Sequence, residues 1–226
     1  ASTTPFNFSG GTLGGSGNLT INGTFNWSGG TLTGSGSFTT TGASTLSGAA
    51  DKTLTNRTWN NQGTVGLTAG RLHLNGAGSV FTNQASGVVN VSTNDANPIF
   101  GSASTFNNAG TLNWNTAGLS ALGSSMNAFN NAGTVNVNSG TLRIITGGTD
   151  SGLYAVDTGT TLEFNTGTRN LNAGSNVTGL GTLTVSGSTV NANNLLGIAT
   201  TGAALNISSG TLNLNNALTI AAPTTP

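Results

Sequence analysis

The chain has 226 residues, with five Lys or Arg, five Asp or Glu, and no Cys. Zero net charge without a basic patch argues against nucleic acid as a partner, and the lack of Cys removes disulfides and thiolate metal centres. No apolar run approaches the roughly eighteen residues a membrane helix needs, so no span is expected. A chain so rich in Gly could be disordered, but disorder goes with low hydrophobicity and high net charge. Here apolar residues alternate with polar ones, which is the period of a strand.

Residues 1–5 end in Thr-Thr-Pro, as do residues 223–226, and both segments read as extended linkers. Between them, over residues 6–222, the chain repeats. Phe6-Asn-Phe-Ser-Gly-Gly-Thr-Leu13 returns nineteen residues later as Phe25-Asn-Trp-Ser-Gly-Gly-Thr-Leu32. Asn60-Asn-Gln-Gly-Thr-Val65 returns as Asn107-Asn-Ala-Gly-Thr-Leu112 and, 23 residues on, as Asn130-Asn-Ala-Gly-Thr-Val135. A period of 19–24 residues is the length of one solenoid coil, and predicts about ten coils.

Each predicted strand centres on an apolar-polar-apolar triplet: Leu72-His-Leu74, Val89-Asn-Val91, Leu112-Asn-Trp114, Leu162-Glu-Phe164, Leu183-Thr-Val185. The outer two side chains enter the core and the middle one faces water. Gly and Asn are expected to turn the corners because both tolerate positive φ. Asn94-Asp-Ala-Asn-Pro98 is expected to be a longer loop, and Leu119 to Met126 a looser one. The fold class is therefore all-β, a single parallel β-solenoid, with a right-handed crossover favoured. An antiparallel sandwich would need Asn-Gly or Asp-Gly hairpins between its many strands, and Asn22-Gly23 and Asn75-Gly76 are the only such pairs.

Chemistry is sparse. Asp150, Asp157 and Glu163 are the only crowded acids. Glycoside hydrolysis would need two carboxylates across one bond, but these read as surface charges, with Glu163 facing outward beside positions like Arg143. Tyr154, the only Tyr, has no counterpart in other coils and is expected to be exposed. Tyr154, Asp150, Asp157 and Glu163 are thus the ligand-binding candidates. No catalytic residue, metal ligand or cofactor is assigned. His73 should face outward. Trp27 and Trp114 share the inward phase of their triplets, and Trp59, ahead of Asn60-Asn61 in the place of Phe106 and Phe129, is expected to be structural as well. Paired Asn residues predict amide ladders. Thr20, Thr39, Thr41 and Thr184 could line a flat ice-binding wall.

The Ser-Gly-Gly-Thr-Leu and Phe-Asn-Asn-Ala-Gly-Thr units, together with Thr53-Leu-Thr-Asn-Arg-Thr-Trp-Asn-Asn-Gln-Gly-Thr-Val65, resemble the repeats of large bacterial exoproteins of the filamentous-haemagglutinin-like and autotransporter-passenger-like kind. That resemblance implies a right-handed parallel β-helix, secretion, and a place on the cell surface as an adhesin shaft or fibre. The strand pattern runs from Phe6 to Ile220 without a polar cap. The expected partners are accordingly a second copy stacked end to end, or neighbouring repeats of a longer chain, with surface glycans as an alternative.

Overall fold

The computed structural model describes residues 4–194, 196–198 and 204–220. Residues 1–3 of the first predicted linker and all of 223–226 lie outside the described residues, while Thr4 and Pro5 are exposed ahead of the first strand. The described residues form strands and turns with no helix, arranged as three parallel sheets of eleven, ten and ten strands. The chain visits the sheets in strict rotation, so every third strand is a neighbour in one sheet. This is the expected parallel β-solenoid.

The first sheet contains Phe6–Phe8, Phe25–Trp27, Thr64–Leu67, Thr111–Trp114 and Thr134–Val137. The second contains Thr12–Leu13, Lys52–Thr55, Leu72–Asn75, Thr141–Ile144 and Thr161–Phe164. The third contains Ser37–Thr40, Thr58–Asn61, Val80–Asn83, Thr105–Asn108 and Thr168–Leu171. In the first sheet the offset between stacked residues runs from 19 (Phe6 beside Phe25) to 24 (Val65 beside Val89). The second sheet departs from the expected range once, where Leu72 stacks on Ile99. The extra length is Ser92–Pro98, which forms no strand, as Pro98 and its polar neighbours predicted.

Alternation places the core as expected. Val135, Val137, Leu142 and Ile144 are fully buried, while Asn136 and Arg143 face out. The three Trp are all buried, and each indole N–H finds an acceptor: Gly29 O for Trp27, Thr40 Oγ1 for Trp59 and Ser120 Oγ for Trp114. One inward column of the third sheet stacks Phe38, Trp59, Phe81, Phe106 and Phe129, with adjacent ring centroids 4.6–5.3 Å apart. The column beside it is polar. Asn61, Asn83, Asn108 and Asn131 are at most 1% exposed, and each amide in turn donates to the next at 2.8 Å. Their spare amide protons bond carbonyls such as Gly87 O and Thr134 O, so this buried ladder is satisfied. Outer ladders run through Asn90, Asn113 and Asn136, and through Asn170, Asn191 and Asn213.

Two expectations need correcting. Leu119–Ser124 is no loose loop but the longest strand, six residues. Its Ser120 faces in, where its hydroxyl accepts from Trp114 and bonds Thr116, so a polar residue occupies an inward phase that the sequence leaves unmarked. Nor is positive φ the reason for glycine at the corner between the third and first sheets. Gly42, Gly63, Gly110 and Gly133 have ordinary φ there; a Cβ on each would overlap the carbonyl oxygen of the glycine one coil below. Among the Asn, only Asn56 takes positive φ.

The corner column yields a test. Gly133→Val must push against the Gly110 carbonyl, and should cost on the order of 2–4 kcal/mol as an overpacked site, seen as a lower circular-dichroism melting temperature. Gly10→Ala, where nothing lies within 4 Å of the added carbon, should change stability by less than about 0.5 kcal/mol. Equal effects would remove the close-approach explanation.

Candidate functional site

The ten charged residues divide into two groups. Lys52, Arg57, Asp150 and Arg169 lie inside the solenoid, each at most 3% exposed. The other six, Asp51, Arg71, Asp95, Arg143, Asp157 and Glu163, sit on the outside of the second sheet or on turns and the loop leading into it. The outer faces of the first and third sheets carry only uncharged side chains among the described residues.

The interior group is held by alternation. Lys52 shares the inward phase of Leu54, and its ammonium donates to Gly48 O at 2.6 Å and Ala69 O at 2.8 Å. Burial, partly opposed by Asp51, holds its pKa below the usual lysine range. Arg57 donates to Thr33 O and Gly17 O at 2.8 Å and to Ser37 O at 3.2 Å. Arg169 stands in the aromatic column, stacked on Gly148. Because Gly148 has no side chain, the guanidinium passes it and reaches Phe129 O at 3.1 Å, two coils away. The cation lies 5.5 Å from the Phe129 ring centroid and 5.4 Å from that of Phe164.

Asp150 continues the inner Asn ladder, stacked on Asn131. It is paired with Arg169, whose Nε donates at 2.9 Å and whose Nη2 also bonds it, and it accepts the Tyr154 hydroxyl at 2.8 Å. Tyr154 is therefore fully buried, against the expectation of an exposed ring: the Asp150–Arg169 pair supplies the partner its hydroxyl needs inside. Burial pushes the phenol well above its ordinary pKa; the Arg169 charge opposes this and the Asp150 charge adds to it.

Glu163 faces outward, as expected, but neighbours cover it to 7% exposure. Its Oε2 accepts from Arg143 Nε at 2.7 Å, and its Oε1 accepts from the Ser186 hydroxyl. Asn165 donates to Ser186 at 3.0 Å and completes the chain. Asp157 is exposed on a turn. Asp150 points inward from the third sheet and Glu163 outward from the second, so these two acids do not face a common bond. Thr20, Thr39 and Thr41 share the outside of the third sheet, but Thr184 is on the second, which divides the threonine wall.

Farther down the second sheet, His73 stacks flat on Phe100, centroids 4.3 Å apart, and Arg71 lies 4.5 Å from the same ring. Arg71 grips Asp51 through two 2.8 Å bonds, with Asp95 at 4.0 Å. Sequence reading placed His73 outside but missed Phe100. The signal was its phase opposite Ile99 in a strand that begins with that inward residue.

No group of three or more His, Cys, Asp or Glu that could hold a metal is found among the described residues, and no described helix could cross a membrane. No family model, no curated protein and no solved structure matches this chain.

The buried network predicts two outcomes. Arg169→Met leaves Asp150 charged and unpaired, and should cost about 3–5 kcal/mol; Asp150→Leu with Arg169→Met should recover much of that in urea melts. An unfolded Tyr ionises near pH 10, while folded Tyr154 resists. Its contribution to stability is thus complete below about pH 10 and is lost as pH climbs toward the raised folded value. Because the chain has one Tyr, tyrosinate absorbance should appear only together with loss of the far-ultraviolet strand signal. A titration near pH 10 with the fold intact would contradict the buried phenol.

Proposed function

We propose that this chain is a non-catalytic structural and adhesive rod of a secreted bacterial surface protein, of the filamentous-haemagglutinin-like or autotransporter-passenger-like kind. The supporting observation is the three parallel ladders, eleven, ten and ten strands long. A stack of this kind has one mechanical property above all: length. At about 4.8 Å per coil, the described stack extends roughly 50 Å. Among the described residues the interior is filled by aliphatic, aromatic and amide columns, and Asp150 and Glu163 lie on opposite sides of the sheets.

Each end of the stack presents strand edges, Phe6–Phe8 at one and Thr211–Leu214 at the other, with Phe6 39% and Leu214 52% exposed. Such edges accept another coil of the same design, from neighbouring repeats or from a second copy. Repeated head-to-tail contact that does not close gives a fibre.

Negative-stain imaging should show short unbranched rods, and at higher concentration particles lengthened in whole-molecule steps. Globular particles would overturn the rod, and a length independent of concentration would overturn the fibre. Release of reducing sugar from a polysaccharide, lost in Glu163→Gln, would overturn the non-catalytic assignment.

A further inference from the structure

Regular coils need no departures from the repeat, so places where the repeat breaks carry the most information. The largest breaks converge on the outside of the second sheet. Ser92–Pro98 is inserted there. The longest strand, Leu119–Ser124, is there, and its register slips between Ile99, beside Leu122, and Phe100, beside Ser124. Loops and bulges of this sort re-aim side chains at binding sites.

The insertion is fixed in place, since Ala121 N–H donates to Ala96 O at 2.8 Å. Between it and the following coils lies a groove of about 330 Å³, lined by Asn97, Leu119, Arg143, Ile145 and Asn165. That volume falls at the small end of ligand clefts, which run from about 300 to 1,000 Å³. Leu119 is 51% exposed.

Arg143 is the only charged side chain lining this groove. Glu163 takes its Nε–H, Ser186 donates to Glu163, and Asn165 donates to Ser186. The guanidinium is thereby oriented from behind. Its two terminal NH₂ groups have no hydrogen-bond partner among the described residues, and the side chain is 35% exposed. The Asn97 side-chain amide likewise has none. A planar fork with two parallel donors matches a carboxylate. The flanking Leu119 and Ile145 offer apolar surface for the C–H face of a sugar ring, and the amides suit its hydroxyls. A peptide fits less well: the floor of the groove is a sheet paired on both sides, with no free backbone edge to extend.

We propose that this groove binds a carboxylate-bearing sugar unit of an acidic polysaccharide, with Arg143 as the carboxylate fork and Glu163 as its positioning residue. This gives the adhesive part of the proposed rod a chemical target, and rests on that reading. The Arg143–Glu163 pair is neutral overall, so recognition depends on short-range geometry more than on a long-range field, and moderate salt should weaken it only slightly.

Isothermal titration of the whole chain with oligogalacturonate, and with a neutral galacto-oligosaccharide of equal length, tests this. The uronate should bind at least tenfold more tightly. Arg143→Gln should remove that preference, Arg143→Lys should keep only part of it, and Leu119→Asn should weaken both sugars severalfold. Asn191→Ala, on the third sheet, should change nothing. Far-ultraviolet circular dichroism checks that each variant keeps its fold. Equal binding of the two sugars, unchanged binding by Arg143→Gln, or tighter binding of a short peptide through its terminal carboxylate would each overturn the site. The rod would be unaffected by any of these, since imaging tests it separately. Wild-type binding of oligogalacturonate that survives Arg143→Gln would place saccharide recognition on another face. No binding of either sugar by the wild type would overturn the acidic-sugar target itself.

Discussion

Within the sheets, a strand side chain has a counterpart about 4.8 Å away in the next coil. A residue type is therefore tolerated in a column only if it can sit beside its neighbours at that distance. Aromatic rings can, and so Phe38 to Phe129 form one stack. Carboxamides can, because each is both donor and acceptor, and so Asn61 to Asn131 form another. Like charges cannot. Charge is accordingly rare, and three pairs of opposite charge bridge neighbouring coils: Arg143 stacks on Glu163, Arg71 bonds Asp51, and Arg169 pairs with Asp150 one coil below.

The same constraint explains what could be read without coordinates. A column repeated coil after coil leaves a periodic trace, so the solenoid, its parallel pairing, the inward Trp residues and the amide ladders were all legible. Interruptions of a column leave no trace of their own. Leu119–Ser124 was obscured by an inward Ser, and Tyr154 by a hydroxyl whose partner comes from a different sheet. The inward phase of Lys52 and Arg169 is legible: each holds the phase of a Leu two residues on, Leu54 and Leu171, and strict alternation puts both inside. Asp150, expected at the surface, is buried because Arg169 from the next coil pairs with it, and that partner shows only once the register is known. The chain Asn165–Ser186–Glu163–Arg143 spans three coils and needs the register to be seen at all.

Confining external charge to the second sheet and its approaches leaves the rod with unlike sides. Two sides present uncharged hydroxyls and amides, many of the amides engaged in ladders. The third has ion pairs, an outward aromatic ring and a groove. On the proposed reading, such a rod would separate reach from recognition: the repeat would set how far it extends, and departures from the repeat on one side what it meets.

Arg57 and Arg169 each bond a carbonyl about two coils away, at Gly17 and Phe129, across an intervening coil. In a simple solenoid each coil is coupled only to its nearest neighbours, so a pull along the axis peels coils one at a time. A buried guanidinium spanning three coils adds next-nearest coupling at two separate heights. Under load, the coils bridged by each arginine would yield together as a block, and the stack would lengthen in a few large steps rather than many small ones.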